Sequence, residues 1–270
     1  MEREVCLVQA KILEKYKWGQ YILFYLFAPE ISKLAKPGQF VMIRVSEQFI
    51  PLLRRPFSLM SVDPSEGRIA IFFQIVGRGT SRLSQYSPGE SLSLIGPLGQ
   101  GYSLSVLKPG DKVILVGGGR GIAPLFFLAQ QLKEKKIRVM IFYGGKSAQD
   151  LPLKSLIEEE LGVEELVLAT EDGSLGEKGL VTEVLERKEI WPRIERVYVC
   201  GPEAMMRKIA RMIEVWGVPG EFSLETYMGC GLGICWSCVR RIKKANSWSW
   251  VKICEEGPVF PGEVIKWEED

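Results

Sequence analysis

At Lys108-Pro109-Gly110-Asp111 the chain changes its hydrophobic rhythm, and this one break restricts the fold more than any other feature of the 270 residues. Upstream, from Val5 to Ile95, the apolar runs are short: Tyr21–Phe27, Phe40–Val45 and Ile69–Val76, separated by Pro37-Gly38, Pro64-Ser65 and Pro88-Gly89. Short β-like runs punctuated by turn pairs predict a small antiparallel barrel. Downstream, Val113–Val116 enters a glycine cluster, and Val139–Tyr143, Leu166–Ala169 and Val197–Val199 follow with amphipathic stretches between them. Strands alternating with helices imply a parallel sheet. From about Phe222 both rhythms stop, and four of the six cysteines crowd into what remains. The expected division is therefore a barrel over 1–107, an α/β domain over 108–222 and a small cysteine-bearing module over 223–270, which suits a length of two domains plus an appendage.

The chain contains no histidine. That removes Ser-His-Asp and Cys-His triads, His-ligated zinc, Rieske clusters and His-held haem, and leaves cysteine, carboxylate, lysine or a bound cofactor to do any chemistry. Lys and Arg number 35 against 33 Asp and Glu, a balance too even to argue for nucleic acid or an anionic membrane as the main partner. With 46% apolar and 25% charged residues the composition is that of a folded globular protein. Met1-Glu2-Arg3-Glu4 leads into alternating residues without a basic segment and apolar core, so no secretory signal is visible and a cytoplasmic location is expected. The longest uninterrupted apolar stretch, Tyr21 to Pro29, falls far short of the ~20 residues a spanning helix needs.

Cys230, Cys235, Cys238 and Cys254 are spaced C-x4-C-x2-C-x15-C, and the first three match the plant-type arrangement for a [2Fe–2S] centre closed by a distant fourth thiolate. Gly229, Gly231 and Gly233 suit a loop that turns its backbone N–H groups inward around sulfur. The residues alone leave structural zinc and disulfides as alternatives, although a zinc ribbon prefers two C-x2-C pairs and only Cys235 and Cys238 form one. Cys6, in an alternating strand, reads as a small buried hydrophobe.

Seven short motifs occur in order: Arg55-Pro56-Phe57-Ser58, Gly77-Arg78-Gly79-Thr80, Gly96-Pro97-Leu98-Gly99, Gly117-Gly118-Gly119, Cys200-Gly201-Pro202, the cysteine loop, and Cys254 followed by Gly257-Pro258-Val259-Phe260. With them the chain resembles, nearly end to end, the electron-transfer subunits of class 1B dihydroorotate dehydrogenase, within the ferredoxin reductase-like flavoprotein superfamily. The resemblance implies a flavin-binding barrel, a parallel α/β nucleotide domain and an iron–sulfur module, with FAD, a [2Fe–2S] cluster and NAD(H) as cofactors.

It further implies that Arg55 meets the FAD pyrophosphate, with Pro56 beside it, that Phe57 lies beside the flavin, and that Ser58 hydrogen-bonds its redox-active edge. Gly79 and Thr80 would supply a second pyrophosphate contact, and Phe72, Phe73 and Gln74 would line the ring or the adenine. Without the resemblance the first motif is an edge strand with a snorkelling arginine, and Phe72 and Phe73 are barrel core. In the second domain Lys112–Val116 runs into Gly117-Gly118-Gly119-Arg120-Gly121, a turn before a helix where N–H groups receive phosphate. It is not G-x-G-x-x-G, because Ile122 occupies the third glycine position, and Tyr143 runs into Gly144-Gly145-Lys146 without a carboxylate, so a Rossmann dehydrogenase is disfavoured. The resemblance places Cys200-Gly201-Pro202 near the nicotinamide and makes Cys200, with Ser58, a catalytic candidate; by itself Cys200 reads equally as a buried strand end. Arg120 departs from the family, which commonly carries an apolar residue there. Lys146 favours a 2′-phosphate and Asp150 opposes one; the resemblance favours NAD.

The expected function is a relay from the FMN of a dihydroorotate-oxidising partner, through the cluster and FAD, to NAD, in a heterotetramer serving pyrimidine synthesis. Two alternatives stand beside it: an NAD(P)H-linked diaphorase subunit of a hydrogenase, sulfide-reducing or bifurcating complex, and a non-redox module with a four-cysteine zinc knuckle.

Overall fold

The structure, a computed structural model, describes residues 4–46, 48, 50–188, 194–244 and 247–267. Met1, Glu2 and Arg3, used above in reading the N-terminus, lie outside them. Strands β1 (Cys6–Trp18), β2 (Tyr21–Phe27), β3 (Phe40–Ile43), β4 (Arg55–Asp63), β5 (Arg68–Gln74) and β6 (Ser91–Leu98) close an antiparallel barrel in the order β1-β2-β5-β4-β3-β6. Short helices α1 (Pro29–Leu34) and α2 (Arg78–Leu83) cross from β2 to β3 and from β5 to β6. Alternate residues point inward, as the strand period of two requires: Ile22, Phe24 and Leu26 of β2 join Ile69, Ile71 and Phe73 of β5 in the barrel core. Tyr21 and Leu23, on the other face, are buried too, because the second domain covers them. Burial on both faces is why this strand reads as an unbroken apolar run.

The second domain follows a β/α alternation: β7 (Lys112–Gly118), α3 (Ile122–Glu134), β8 (Arg138–Gly145), α4 (Lys154–Glu160), β9 (Glu165–Thr170), β10 (Glu177–Lys178), α5 (Val181–Arg187), β11 (Arg196–Cys200), α6 (Glu203–Trp216) and β12 (Gly220–Ser223). The chain then forms a hairpin, β13 (Val239–Lys244) with β14 (Ser247–Lys252), a short helix α7 (Ile253–Glu256) and β15 (Val259–Pro261). The sheet order is β10-β9-β8-β7-β11-β12-β15. From β7 the chain winds outward through β8 and β9, then returns to lay β11 and β12 on the other side, so the direction of winding reverses between β7 and β11. In parallel sheets that reversal opens a crevice at the carboxyl ends of the strands.

The cysteine module is not a free appendage. Its last strand, β15, adds antiparallel to β12, and one apolar core runs from Ile114, Val116, Val197 and Val199 of the sheet through Phe222 to Val251, Ile253 and Phe260 of the module. The opposite face of the same strands, with Val113, Leu115 and Tyr198, packs with α3 and with the barrel residues Leu23, Met60 and Phe72. Arg196 and Glu221, on adjacent strands, pair at 2.9 Å, and Glu221 also accepts the Ser103 N–H at 2.9 Å, which fastens the barrel-to-sheet connection. Among the described residues no helix is long and apolar enough to cross a membrane.

Phe222 is fully buried, stands edge-on to Trp267 with ring centroids 5.3 Å apart, and fills the room left by the missing side chain of Gly262. Phe222→Ala is expected to lower stability by about 3–5 kcal/mol through the cavity it leaves, read as a lowered denaturant midpoint.

Candidate functional site

At the reversal point Gly117 of β7 pairs with Cys200 of β11, and the two strands lead into turns packed directly on one another. A Cβ on Gly121 would meet the Cys200 carbonyl oxygen at 2.3 Å; one on Gly118 would meet Pro202 at 2.7 Å; one on Gly117 would meet Ile122 at 2.8 Å. Three of the glycines are therefore required by the approach of the chain to itself. Gly119 differs: its φ is +52°, and the nearest atom to a Cβ there is the Tyr21 hydroxyl at 4.0 Å. The space above it opens into a cleft of about 1010 Å³, which Gly118, Gly119, Gly201, Pro202, Lys146 and Asp150 line together with Tyr21 and Gln74 of the barrel.

Tyr21 ties the barrel to the nucleotide side. Its ring stacks on Phe72 at 5.5 Å and its hydroxyl donates to Asp150 Oδ1 at 2.8 Å. Burial, with the hydrogen bond to Asp150, pushes the phenol well above its ordinary value, so it remains a donor. Asp150 Oδ2 accepts the Ser147 N–H at 3.2 Å. Tyr21 was not singled out in the sequence; 129 residues separate the two partners, and no local pattern announces the contact. Cys200 is 2% exposed, and burial raises its thiol far above the usual range. It sits protonated behind the turn that it holds to Gly121.

On the barrel, Arg55 lies over Gly79: its Nε would be 3.0 Å from a Cβ at that position, so the two expected pyrophosphate residues are neighbours. The Arg55 guanidinium donates to the carbonyl oxygens of Leu53 (2.5 Å) and Arg54 (3.2 Å). Thr80 Oγ1 accepts the N–H groups of Val76 and Gly77 and donates to the Gly77 carbonyl, which commits that hydroxyl to its own turn. Phe57 packs against Phe73 at 5.3 Å and both belong to the barrel core. Strand alternation thus divides the expected flavin residues. Phe57 and Phe73 point inward, Ser58 is on the other face of β4 from Phe57, and Phe72 and Gln74 are turned toward the second domain, Gln74 reaching the cleft. Pro56 pairs with Met42 of β3. Cys6 is half-buried at the margin of the barrel core.

The four cysteines of the module come as two pairs. Cys230 acts on the Cys235 thiol and Cys238 on that of Cys254, and the Cys254 N–H donates to the Cys238 sulfur at 3.5 Å. Backbone N–H groups of Leu232 and Gly233 point at the sulfurs of Cys230 (3.3 Å) and Cys254 (3.2 Å). The hydroxyl and N–H of Ser237 lower the Cys235 thiol to about 6, whereas burial pushes Cys254 up to about 12. Two thiol pairs with inward N–H donors fit a two-iron cluster, in which each iron takes two thiolates and the amides stabilise the sulfur charge. The loop is seated on the barrel at Gly231, φ +75°, where a Cβ would overlap Met42 Cγ at 2.4 Å. Trp236 also has positive φ, +57°, is 57% exposed, and carries the Lys252 ammonium 5.1 Å above its ring.

Residues 225–266 match the family model described as the iron–sulfur cluster binding domain of dihydroorotate dehydrogenase B, and residues 115–211 match the oxidoreductase NAD-binding domain. The dihydroorotate dehydrogenase B (NAD(+)) electron transfer subunit of Desulforamulus reducens is 43% identical over 261 residues, 96% of this chain and 98% of that one. The subunit of the same name from Bacillus caldolyticus is 37% identical over 87% of this chain and 89% of its own. A solved structure described as an NADH-dependent reduced ferredoxin-NADP oxidoreductase, in work on flavin-based electron bifurcation, is 30% identical with a TM-score of 0.82, covering 96% of this chain and 90% of that one. The ferredoxin NADP+ reductase of Neisseria gonorrhoeae, 18% identical over 78% of this chain and 92% of its own with a TM-score of 0.65, shares the fold. Barrel, reversal-point cleft and paired thiols together define a ferredoxin reductase-like oxidoreductase with an iron–sulfur module. The chain belongs to the family of dihydroorotate dehydrogenase B (NAD(+)) electron transfer subunits.

Gly121→Ala forces the β7 turn away from the Cys200 carbonyl. Misplacement of this order is expected to slow flavin reduction by NADH on the order of 100-fold, while iron content, measured on the same preparation, stays at the parent level.

Proposed function

We propose that this chain relays electrons from the FMN of a dihydroorotate-oxidising subunit to NAD⁺, in a heterotetrameric assembly of pyrimidine synthesis. The observation that supports it best is the gathering of four thiols, three on a loop seated against the barrel and the fourth in α7, in a chain whose parallel sheet opens a dinucleotide cleft on the same barrel. Cys230, Cys235, Cys238 and Cys254 would hold a [2Fe–2S] cluster, a one-electron carrier. Arg55 and the backbone at Gly79 and Thr80 would hold the FAD pyrophosphate, with Ser58 and Gln74 at the ring. Bound FAD supplies the conversion between single electrons and the electron pair that nicotinamide accepts as hydride.

The rest is positioning by the chain's own residues. Gly119 leaves the backbone open to the nucleotide, and the N-terminus of α3 behind it presents N–H groups to phosphate. Asp150, fixed by Ser147 and Tyr21, offers a carboxylate to a ribose hydroxyl and repels a 2′-phosphate, which supports NADH over NADPH. Cys200, buried and protonated behind the turn, supports Gly201 and Pro202, which line the nicotinamide end. The sulfurs receive N–H groups from Leu232 and Gly233, and Trp236 stands exposed between two of them as a shield or a contact for the partner.

Cys235→Ser is expected to lose or alter the cluster while FAD is retained. NADH oxidation by a small dye then survives, whereas electron exchange with the partner subunit falls to background; partner-coupled turnover that persisted after verified loss of the cluster would make the loop structural. Arg55→Ala is expected to weaken FAD retention and leave the cluster spectrum unchanged. Stoichiometric FMN in the purified parent, or undiminished FAD in the variant, would remove Arg55 from the flavin site.

A further inference from the structure

Within the glycine turn, Gly117, Gly118 and Gly121 are accounted for by packing and Gly119 by the open space above it. Arg120 has no such explanation. Its side chain is 46% exposed, and its Nη2 lies 2.7 Å from Glu225 Oε2. Glu225 follows β12, where the chain leaves the sheet for the thiol loop, so the pair joins segments 105 residues apart across the cleft that both line. The guanidinium thus stands beside Gly119, where the turn leaves the backbone open to the cleft, and the carboxylate takes one of its donors. An ion pair half open to water contributes about 0–1 kcal/mol. A guanidinium meets phosphate oxygens through two parallel hydrogen bonds, a stronger and more directional contact. Lys146 and Arg211 line the same cleft and add to its attraction for an anion.

We infer that Glu225 is a resident counter-ion that a dinucleotide displaces: without nucleotide it holds Arg120 at the cleft, and the pyrophosphate of NAD(H) takes its place on the guanidinium. Arg120 then sets nucleotide affinity and Glu225 opposes it. The inference rests on the NAD(H) reading of the cleft and goes beyond it by assigning the two residues opposed effects on one binding step. No bond is made or broken; one anion replaces another.

The test is steady-state oxidation of NADH by a small dye, using the full chain with its flavin and cluster, for E225Q, R120A, R120K and the R120A/E225Q double variant. Removing the competing carboxylate should lower KM for NADH about threefold in E225Q with kcat little changed, since the effect is on ground-state binding. R120A should raise KM about tenfold, the loss expected for a charge-assisted contact, and should flatten the dependence of KM on ionic strength; R120K should fall between. In the double variant KM should match R120A, because Glu225 has nothing left to oppose. Equal increases in E225Q and R120A would make the pair a structural brace and overturn the inference, as would parent-like KM in every variant or a loss confined to kcat in R120A. Flavin and iron content at the parent level confirm that each variant is folded. A parent that does not oxidise NADH contradicts the nucleotide reading itself, a result distinct from any of these.

Discussion

The contact on which this architecture depends is the approach of two turns, one leaving β7 and one leaving β11, with the Gly121 position 2.3 Å from a carbonyl oxygen as soon as a Cβ is added. Interiors packed to crystal-like density transmit such a clash instead of absorbing it. The pairing of Gly117 with Cys200 therefore places the cleft floor, the start of α3 and the Cys200-Gly201-Pro202 turn in one rigid arrangement. The open space above Gly119 exists because its neighbours are closed.

The same economy joins the three bodies. Each face of the central strands belongs to a separate apolar core: Ile114 and Val116 share one with α5, α6 and the cysteine module, Val113 and Leu115 one with α3 and a different set of barrel residues. Cys238 and Cys254 belong to the first of these cores, so half of the thiol set is anchored in packed hydrocarbon and the other half, with exposed Cys235, lies at the surface. That division gives the two thiol pairs different environments. A carrier bound there is held by the core on one side and reachable from solvent on the other, an arrangement suited to exchange with a second protein.

Polar contacts complete what packing begins. Tyr21 and Asp150 join the barrel to the nucleotide side, Arg120 and Glu225 join the glycine turn to the segment entering the module, and Arg196, Glu221 and the Ser103 N–H fasten the interdomain connection. These are of different kinds. The Glu221 contact is buried and its loss leaves a desolvated charge, whereas the Arg120 pair is half in water and exchangeable. Rigid frame and exchangeable rim follow from burial alone.

The sequence by itself determined what is local or periodic. The short turn-punctuated apolar runs, the alternation of strands and helices and the C-x4-C-x2-C-x15-C spacing carry through to the barrel, the parallel sheet and the thiol loop, because each depends on neighbours along the chain, while the absence of histidine restricts the chemistry by composition alone. Tertiary structure alone decided which way side chains face and which distant groups meet. Phe57 and Phe73 enter the barrel while Phe72 faces out, since strand closure sets parity and a residue's type does not. Cys200 is sealed beneath a glycine, Tyr21 reaches Asp150 and β15 returns to β12, because these contacts join residues far apart in sequence and only the packing of the folded sheets brings them within range.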